Sequence, residues 1–336
     1  VEPAGPEGSG PERSVLPSGP HRTAGPNTVR MPRWPGPVLA IGGAIVAVGA
    51  LATAMLVTEG QLEMDDPSIL AWLALAGAMA FVAGLVWSAV RQLRVRAHLA
   101  PERYRGPSVF ILLALVLVIA SVLNAPFSSD ATALLFGDGE LTLLGAAIIL
   151  VSAQIGMLFV SWLLVFRPNA LAALPAFGGT DPVGAVRAGL GWGILAWFIA
   201  TALSAAVVLL LEQIGFDPGL QAAEQAIAVV EPWLVIVAVV ILAPIAEEVF
   251  FRGVVFNAWL REGGRRWAFI GSSALFAAIH LSVVSLLPIF VLGLALAWVY
   301  HRNGSLLAPI VMHATVNGIS VALALLVRFD VLRLPV

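Results

Sequence analysis

Nine long apolar stretches run through this chain, and they decide what it can fold into. They lie at about 38–58, 69–90, 108–125, 141–166, 188–211 and 232–256, then more tightly at about 268–284, 286–300 and 305–327. A helix needs about 20 apolar residues to cross the ~30 Å hydrocarbon core of a bilayer. Only helices and closed barrels satisfy every backbone N–H and C=O in lipid. The runs are continuous and do not alternate with period two, which favours helices over a barrel. The expected fold class is therefore all-α: a polytopic transmembrane helix bundle of eight or nine spans. The eighth run is short and reads as a candidate re-entrant segment. Composition agrees, with 60% of the residues hydrophobic and 11% charged. Soluble domains carry about 25% charged residues, so a soluble enzyme is excluded.

Residues 1–37 are rich in Pro, Gly and Ser and lack apolar periodicity. They read as a disordered cytoplasmic tail and not as a secretory signal. Three regions are expected: the tail at 1–37, four N-terminal spans within 38–180, and a C-terminal helical domain at 181–328. Orientation comes from the arginines. Arg13, Arg22, Arg30 and Arg33 sit in the tail, Arg91, Arg94, Arg96, Arg103 and Arg105 in the second loop, Arg167 and Arg187 in the fourth, and Arg261, Arg265 and Arg266 in the sixth. The intervening loops at 59–67, 126–140 and 212–231 hold acids and no arginine. The tail and basic loops are placed inside. Arg328 and Arg333 fit this scheme less well. All 18 basic residues are arginine, a bias that suggests a GC-rich bacterial genome and hence a plasma-membrane location. The lipid bilayer is the expected surrounding. Nucleic acid is not an expected partner, because no long basic tract is present. The chain has no cysteine, which removes disulfides, thiol nucleophiles and thiolate metal ligands.

Ionisable groups inside lipid are costly, so they carry the functional information. They cluster in the last third. The sixth run contains Pro244, Glu247, Glu248 and Arg252. Glu248 and Arg252 are spaced i,i+4 with the acid first, the better orientation for an intrahelical pair. Glu247 points about 100° away and lacks that arginine as its partner. Pro244 has no N–H, so the Val240 carbonyl loses its α-helical donor and a kink is expected. The seventh run holds Phe276 and His280 on one face; the ninth holds His313 and Asn317, again i,i+4. At 1.5 Å per residue, Glu247, His280 and His313 reach similar depths, roughly 10–20 Å from the inner boundary. One shared site follows. Plainer roles stand beside this one: Glu248–Arg252 as a structural clamp, and Asn317 as interhelical glue. Gly42, Gly43, Gly49 and the small-xxx-small pair Gly189/Gly193 read as packing residues, without a catalytic role.

In these three motifs (Glu-Glu-x-x-x-Arg, Phe-x-x-x-His and His-x-x-x-Asn, in that order) the chain resembles the CAAX protease and bacteriocin-processing family, called CPBP or Abi, which includes the Ras-converting prenyl-protein endopeptidases. The resemblance covers about residues 185–328. It implies an intramembrane endopeptidase acting on a peptide or membrane-protein substrate. Carried over by motif position, Glu247 and His280 would activate water, His313 and Asn317 would stabilise the oxyanion, and Glu248, Arg252 and Phe276 would support the site. Physics suits these roles: a positioned carboxylate is a general base, and donors in a dry cavity stabilise a developing oxyanion. Two histidines and a carboxylate are also a hydrolytic zinc set, so Glu247, His280 and His313 are the ligands if a divalent metal such as Zn takes part. The sequence alone leaves open a glutamate mechanism without metal. A non-proteolytic scaffold or bacteriocin-immunity protein of the same fold is the alternative function. A transporter ranks behind both, because the first four spans carry no matching polar residues.

Overall fold

The computed structural model describes residues 32–58, 61–62, 64, 66, 68–125, 143–171, 181–215 and 230–332. Most of the expected tail, the whole loop at 126–140, most of that at 212–231, and Arg333 lie outside these. Among the described residues there are nine helices and no strand. They are α1 (Pro35–Thr58), α2 (Ser68–Arg96), α3 (Val109–Asn124) and α4 (Leu143–Ser161, continued by the π turn Trp162–Phe166). Then follow α5 (Pro182–Gln213), α6 (Pro232–Gly263), α7 (Arg265–Ala278), α8 (Val283–Asn303) and α9 (Leu307–Arg328). Seven of them are long and apolar enough to cross a membrane. The protein is an integral membrane helix bundle, as its apolar runs require.

Two boundaries differ from expectation. The eighth helix is not short: α8 has 21 residues, about 31 Å at 1.5 Å each. The short one is α7, with 14 residues and a rise of about 21 Å. It ends at Ala278, and Leu281 adopts φ 50°. His280 therefore lies in a break between helices and not on a helical face. Periodicity could not reveal this, because the flanking residues stay apolar through the break.

Why these helices sit close together is legible in their glycines. Gly43 on α1 meets the backbone of α2, and Gly77 on α2 meets the backbone of α1, whereas Gly42 and Gly49 face open space. Gly189 and Gly193 lie against α9. A Cβ at Gly189 would stand 2.7 Å from the Ala308 carbonyl oxygen, and one at Gly193 would stand 2.6 Å from Thr315 Cβ and 2.9 Å from the Met312 carbonyl oxygen. These contacts bracket His313. Without side chains on α5, the backbone carrying His313 can approach closely, as small residues permit in membranes.

Helix α6 is the axis of the bundle. Phe250, Phe251, Val254 and Val255 are fully buried, within a core that includes Leu112 and Val116 of α3, Met157 and Val160 of α4, and Phe276, Leu296 and Met312. The first four helices thus reach the core through α3 and α4, and α2 adds Leu85 and Ala89. On the arginine-rich side, Arg96 pairs with Glu262 at 2.8 Å and also donates to the Gly106 carbonyl. Nearby Tyr104 is buried, and burial pushes its phenol above the ordinary range.

Helix α6 is not uniform. It is π-helical over Ile236–Leu242 and Val249–Phe256, with one α segment, Ala243–Glu248, between. The π register changes which carbonyl Pro244 orphans. An i→i+5 bond from residue 244 would reach Val239, not Val240. That is the carbonyl Asn317 covers, its amide donating to Val239 O at 2.9 Å. Asn257 does similar work at the other stretch, donating to the Arg252 and Gly253 carbonyls and contacting the Tyr300 hydroxyl at 2.6 Å.

Gly193→Leu is expected to force α5 away from α9 and to destabilise the protein by about 1–3 kcal/mol, the usual cost of overpacking. Thermal unfolding in detergent measures it. Gly49→Leu, which meets open space, should leave the transition unchanged.

Candidate active site

The two adjacent glutamates of α6 face different tasks. Glu248 is fully buried, and so is Arg252. Their Oε1 and Nη1 atoms are 2.9 Å apart. The guanidinium also donates from Nη2 to the Gly293 carbonyl of α8 at 3.0 Å and lies 4.6 Å over the Phe276 ring. The same Glu248 oxygen accepts from His313 Nδ1 at 3.0 Å. A carboxylate can only accept, so His313 carries its proton on Nδ1 toward Glu248. Its other nitrogen is left facing away.

That nitrogen, Nε2, lies 3.9 Å from Glu247 Oε2. The gap is too long for a direct hydrogen bond. Glu247 Oε2 is buried and has no hydrogen-bond partner among the described residues. The chain Arg252–Glu248–His313 thus ends beside a second carboxylate whose Oε2 has no hydrogen-bond partner among the described residues.

Phe276 is the hub of the arrangement. It is fully buried. Its ring meets those of Phe251 at 5.1 Å, His280 at 5.1 Å and His313 at 5.7 Å, besides the Arg252 cation. These are edge-on and cation–π geometries that hold rings in fixed directions. His280 lies at the partly exposed rim, in the break after α7, with Nδ1 2.8 Å from the Phe276 carbonyl.

The structure therefore gathers Arg252, His280 and His313 around Phe276, with Glu248 bonded to Arg252 and His313, and Glu247 beside His313. Asn317 stands one turn further along α9, against Val239. It is His313, and not His280, that comes within 4.0 Å of either glutamate. Glu248 is more than a clamp, since it orients His313 as well as Arg252. Among the described residues no three His, Asp or Glu side chains converge as a metal ion would need. His280 Nδ1 instead contacts the Phe276 carbonyl.

Sequence reasoning missed Gly293, Asn257 and Tyr300. Gly293 matters because it lacks a side chain: a Cβ there would stand 3.0 Å from Ser273 Cβ, so glycine lets α8 offer its carbonyl to Arg252. An unremarkable glycine in an apolar run gives no sign of this.

Fold and site together define a membrane-embedded helical bundle with a carboxylate–imidazole centre. Residues 229–319, which contain the whole cluster, match the family described as Type II CAAX prenyl endopeptidase Rce1-like. The match bears out the resemblance carried by the three motifs. Among curated proteins, the chain is 32% identical over 78 residues to the UPF0177 protein YxdF of Lactococcus lactis, covering 23% of this chain and 42% of that one. It is 30% identical over 92 residues to a Bacillus subtilis protein named "Putative membrane peptidase YdiL", covering 27% and 38%. A second Lactococcus lactis protein, UPF0177 protein YaiF, is 38% identical over 85 residues, covering 24% and 36%. The chain thus spans about two fifths of the length of the curated relatives it matches. No solved structure matches it.

Arg252→Met should cost about 3–5 kcal/mol, because it leaves Glu248 buried without its cation. The double variant Glu248→Gln with Arg252→Met should recover part of this. A double-mutant cycle on thermal unfolding checks the coupling; simple additivity would mean that the pair contributes nothing jointly.

Proposed function

We propose that this chain is an intramembrane endopeptidase in which Glu247 and His313 activate a water molecule to attack a peptide carbonyl. The observation that carries the reading is the 3.9 Å separation of Glu247 Oε2 and His313 Nε2, with Oε2 otherwise unsatisfied. A water bridging such a gap donates one hydrogen to each acceptor. It is thereby polarised twice, and its lone pair points away from both. Glu248 holds the His313 tautomer through Nδ1, the part a second carboxylate plays wherever an imidazole serves as a base. Arg252 balances the Glu248 charge, so the proton taken from water stays on Glu247 or His313 Nε2.

This assigns His313 to the base side, where the resemblance implies an oxyanion donor. His280 at the rim then meets the substrate carbonyl or the departing amine. Asn317 has a second amide hydrogen beyond the one given to Val239, and that hydrogen is the oxyanion donor. The water loses one proton, its oxygen bonds to the carbonyl carbon, and the same proton passes to the leaving nitrogen as the C–N bond breaks. Every atom comes from water and peptide, and no step passes through a metal. The family match and the name of the Bacillus subtilis relative support a peptidase; the substrates of those proteins stay with them.

Glu247→Gln should lower cleavage by about 10²–10⁴-fold, the range of a general base, and leave thermal unfolding unchanged. Comparing the peptides in membranes from cells expressing wild type or variant gives the readout without naming a substrate beforehand. Identical peptide profiles would count against hydrolysis and favour the scaffold function. Chelation should leave cleavage intact, since the side chains do not form a three-ligand set.

A further inference from the structure

We propose that the face shared by α5, α8 and α9 is a binding groove for one acyl chain of an anionic phospholipid, whose phosphate is received by Arg302. An open groove lies there, lined by Trp192, Leu195, Ala196, Ile199 and Ala200 of α5, Val291, Leu292 and Ala295 of α8, and Met312 of α9. None of these side chains is charged or bears a hydroxyl. The α5 residues fall at i, i+3, i+4, i+7 and i+8, one stripe of a helix. The α8 stripe continues past Ala295 to Trp298 and Arg302.

Because the two helices run in opposite directions, Trp192 meets Trp298. Their rings are edge to face at 4.9 Å. The Arg302 guanidinium sits 5.3 Å over the Trp298 ring and is exposed. No carboxylate among the described residues comes within 4.0 Å of it. The groove thus has an apolar body and one cationic, aromatic end. Tryptophan at headgroup level and arginine on phosphate are the usual pairings at a membrane surface.

Length and charge select the occupant. From Trp192 to Ala200 the helix rises about 12 Å, close to half of the ~30 Å hydrocarbon core and so to one leaflet. A single hydrocarbon chain of one leaflet's length matches this apolar stripe, and the lone cation at its end matches a phosphate. The charged end lies with Arg261, Arg265 and Arg266, on the side where anionic lipid concentrates if that side is cytoplasmic. The proposal is independent of the peptidase reading, although Met312 in the groove wall is the neighbour of His313.

The test uses the full chain reconstituted in vesicles of equal parts phosphatidylcholine and phosphatidylglycerol, with bound lipid counted by native mass spectrometry. Ala200→Phe and Ala295→Phe fill the groove from opposite walls, so one serves if the other fails to fold. Either should abolish the retained lipid. Arg302→Gln should keep a retained lipid while its preference for phosphatidylglycerol falls about fivefold. Chain-brominated phosphatidylglycerol should quench wild-type tryptophan fluorescence more than that of Trp192→Phe. Unaltered retention in both groove-filling variants would overturn the proposal. So would an unaltered preference in Arg302→Gln, or a dimer that the groove-filling variants dissolve.

Discussion

A fully buried ion pair inside a membrane protein is the constraint from which the rest of the site follows. Glu248 and Arg252 are both without solvent exposure. Two charges in low dielectric are tolerated only with close geometry and further hydrogen bonds. The protein supplies these from three other helices: the Gly293 carbonyl of α8, the Phe276 ring of α7 and the His313 imidazole of α9. These contacts tie α7, α8 and α9 to α6, while Glu248 Oε2 and Arg252 Nε have no hydrogen-bond partner among the described residues. The catalytic geometry proposed for Glu247 and His313 is a consequence of where these helices must stand.

The backbone of α6 obeys the same rule. Lipid offers no hydrogen bonds, so each carbonyl released by Pro244 or by a π turn needs a side-chain donor. Asn317 serves one stretch and Asn257 the other. The glutamates occupy the α segment between them. Asn317 thus joins structure and chemistry: one amide hydrogen holds the proline-broken carbonyl, and the other serves the proposed oxyanion. Interhelical glue and catalytic donor are compatible roles for one carboxamide.

The helical runs, and a polar centre in the C-terminal third, are legible from apolar length and from the rarity of charge in lipid. The Glu248–Arg252 pair is legible from i,i+4 spacing. Other features are not. Nothing in the run around 268–284 marks the break at 279–282, because a break facing protein or lipid keeps apolar residues on both sides. Sequence spacing therefore puts His280 on a helical face that does not exist there. The orphaned carbonyl falls to Val240 for a related reason: α-helical counting cannot anticipate a π register.

Hydrophobic length determined that this chain enters a membrane as helices, and scarcity of intramembrane charge singled out the residues of the candidate site. Both are local properties, written along the chain. Which histidine faces which glutamate was decided only by tertiary structure. That choice depends on helix approach set by absent side chains at Gly189, Gly193 and Gly293, and on hydrogen bonds between residues as distant as Glu248 and His313. A missing Cβ acts through the neighbour it admits, and the neighbour is known only once the chain has folded.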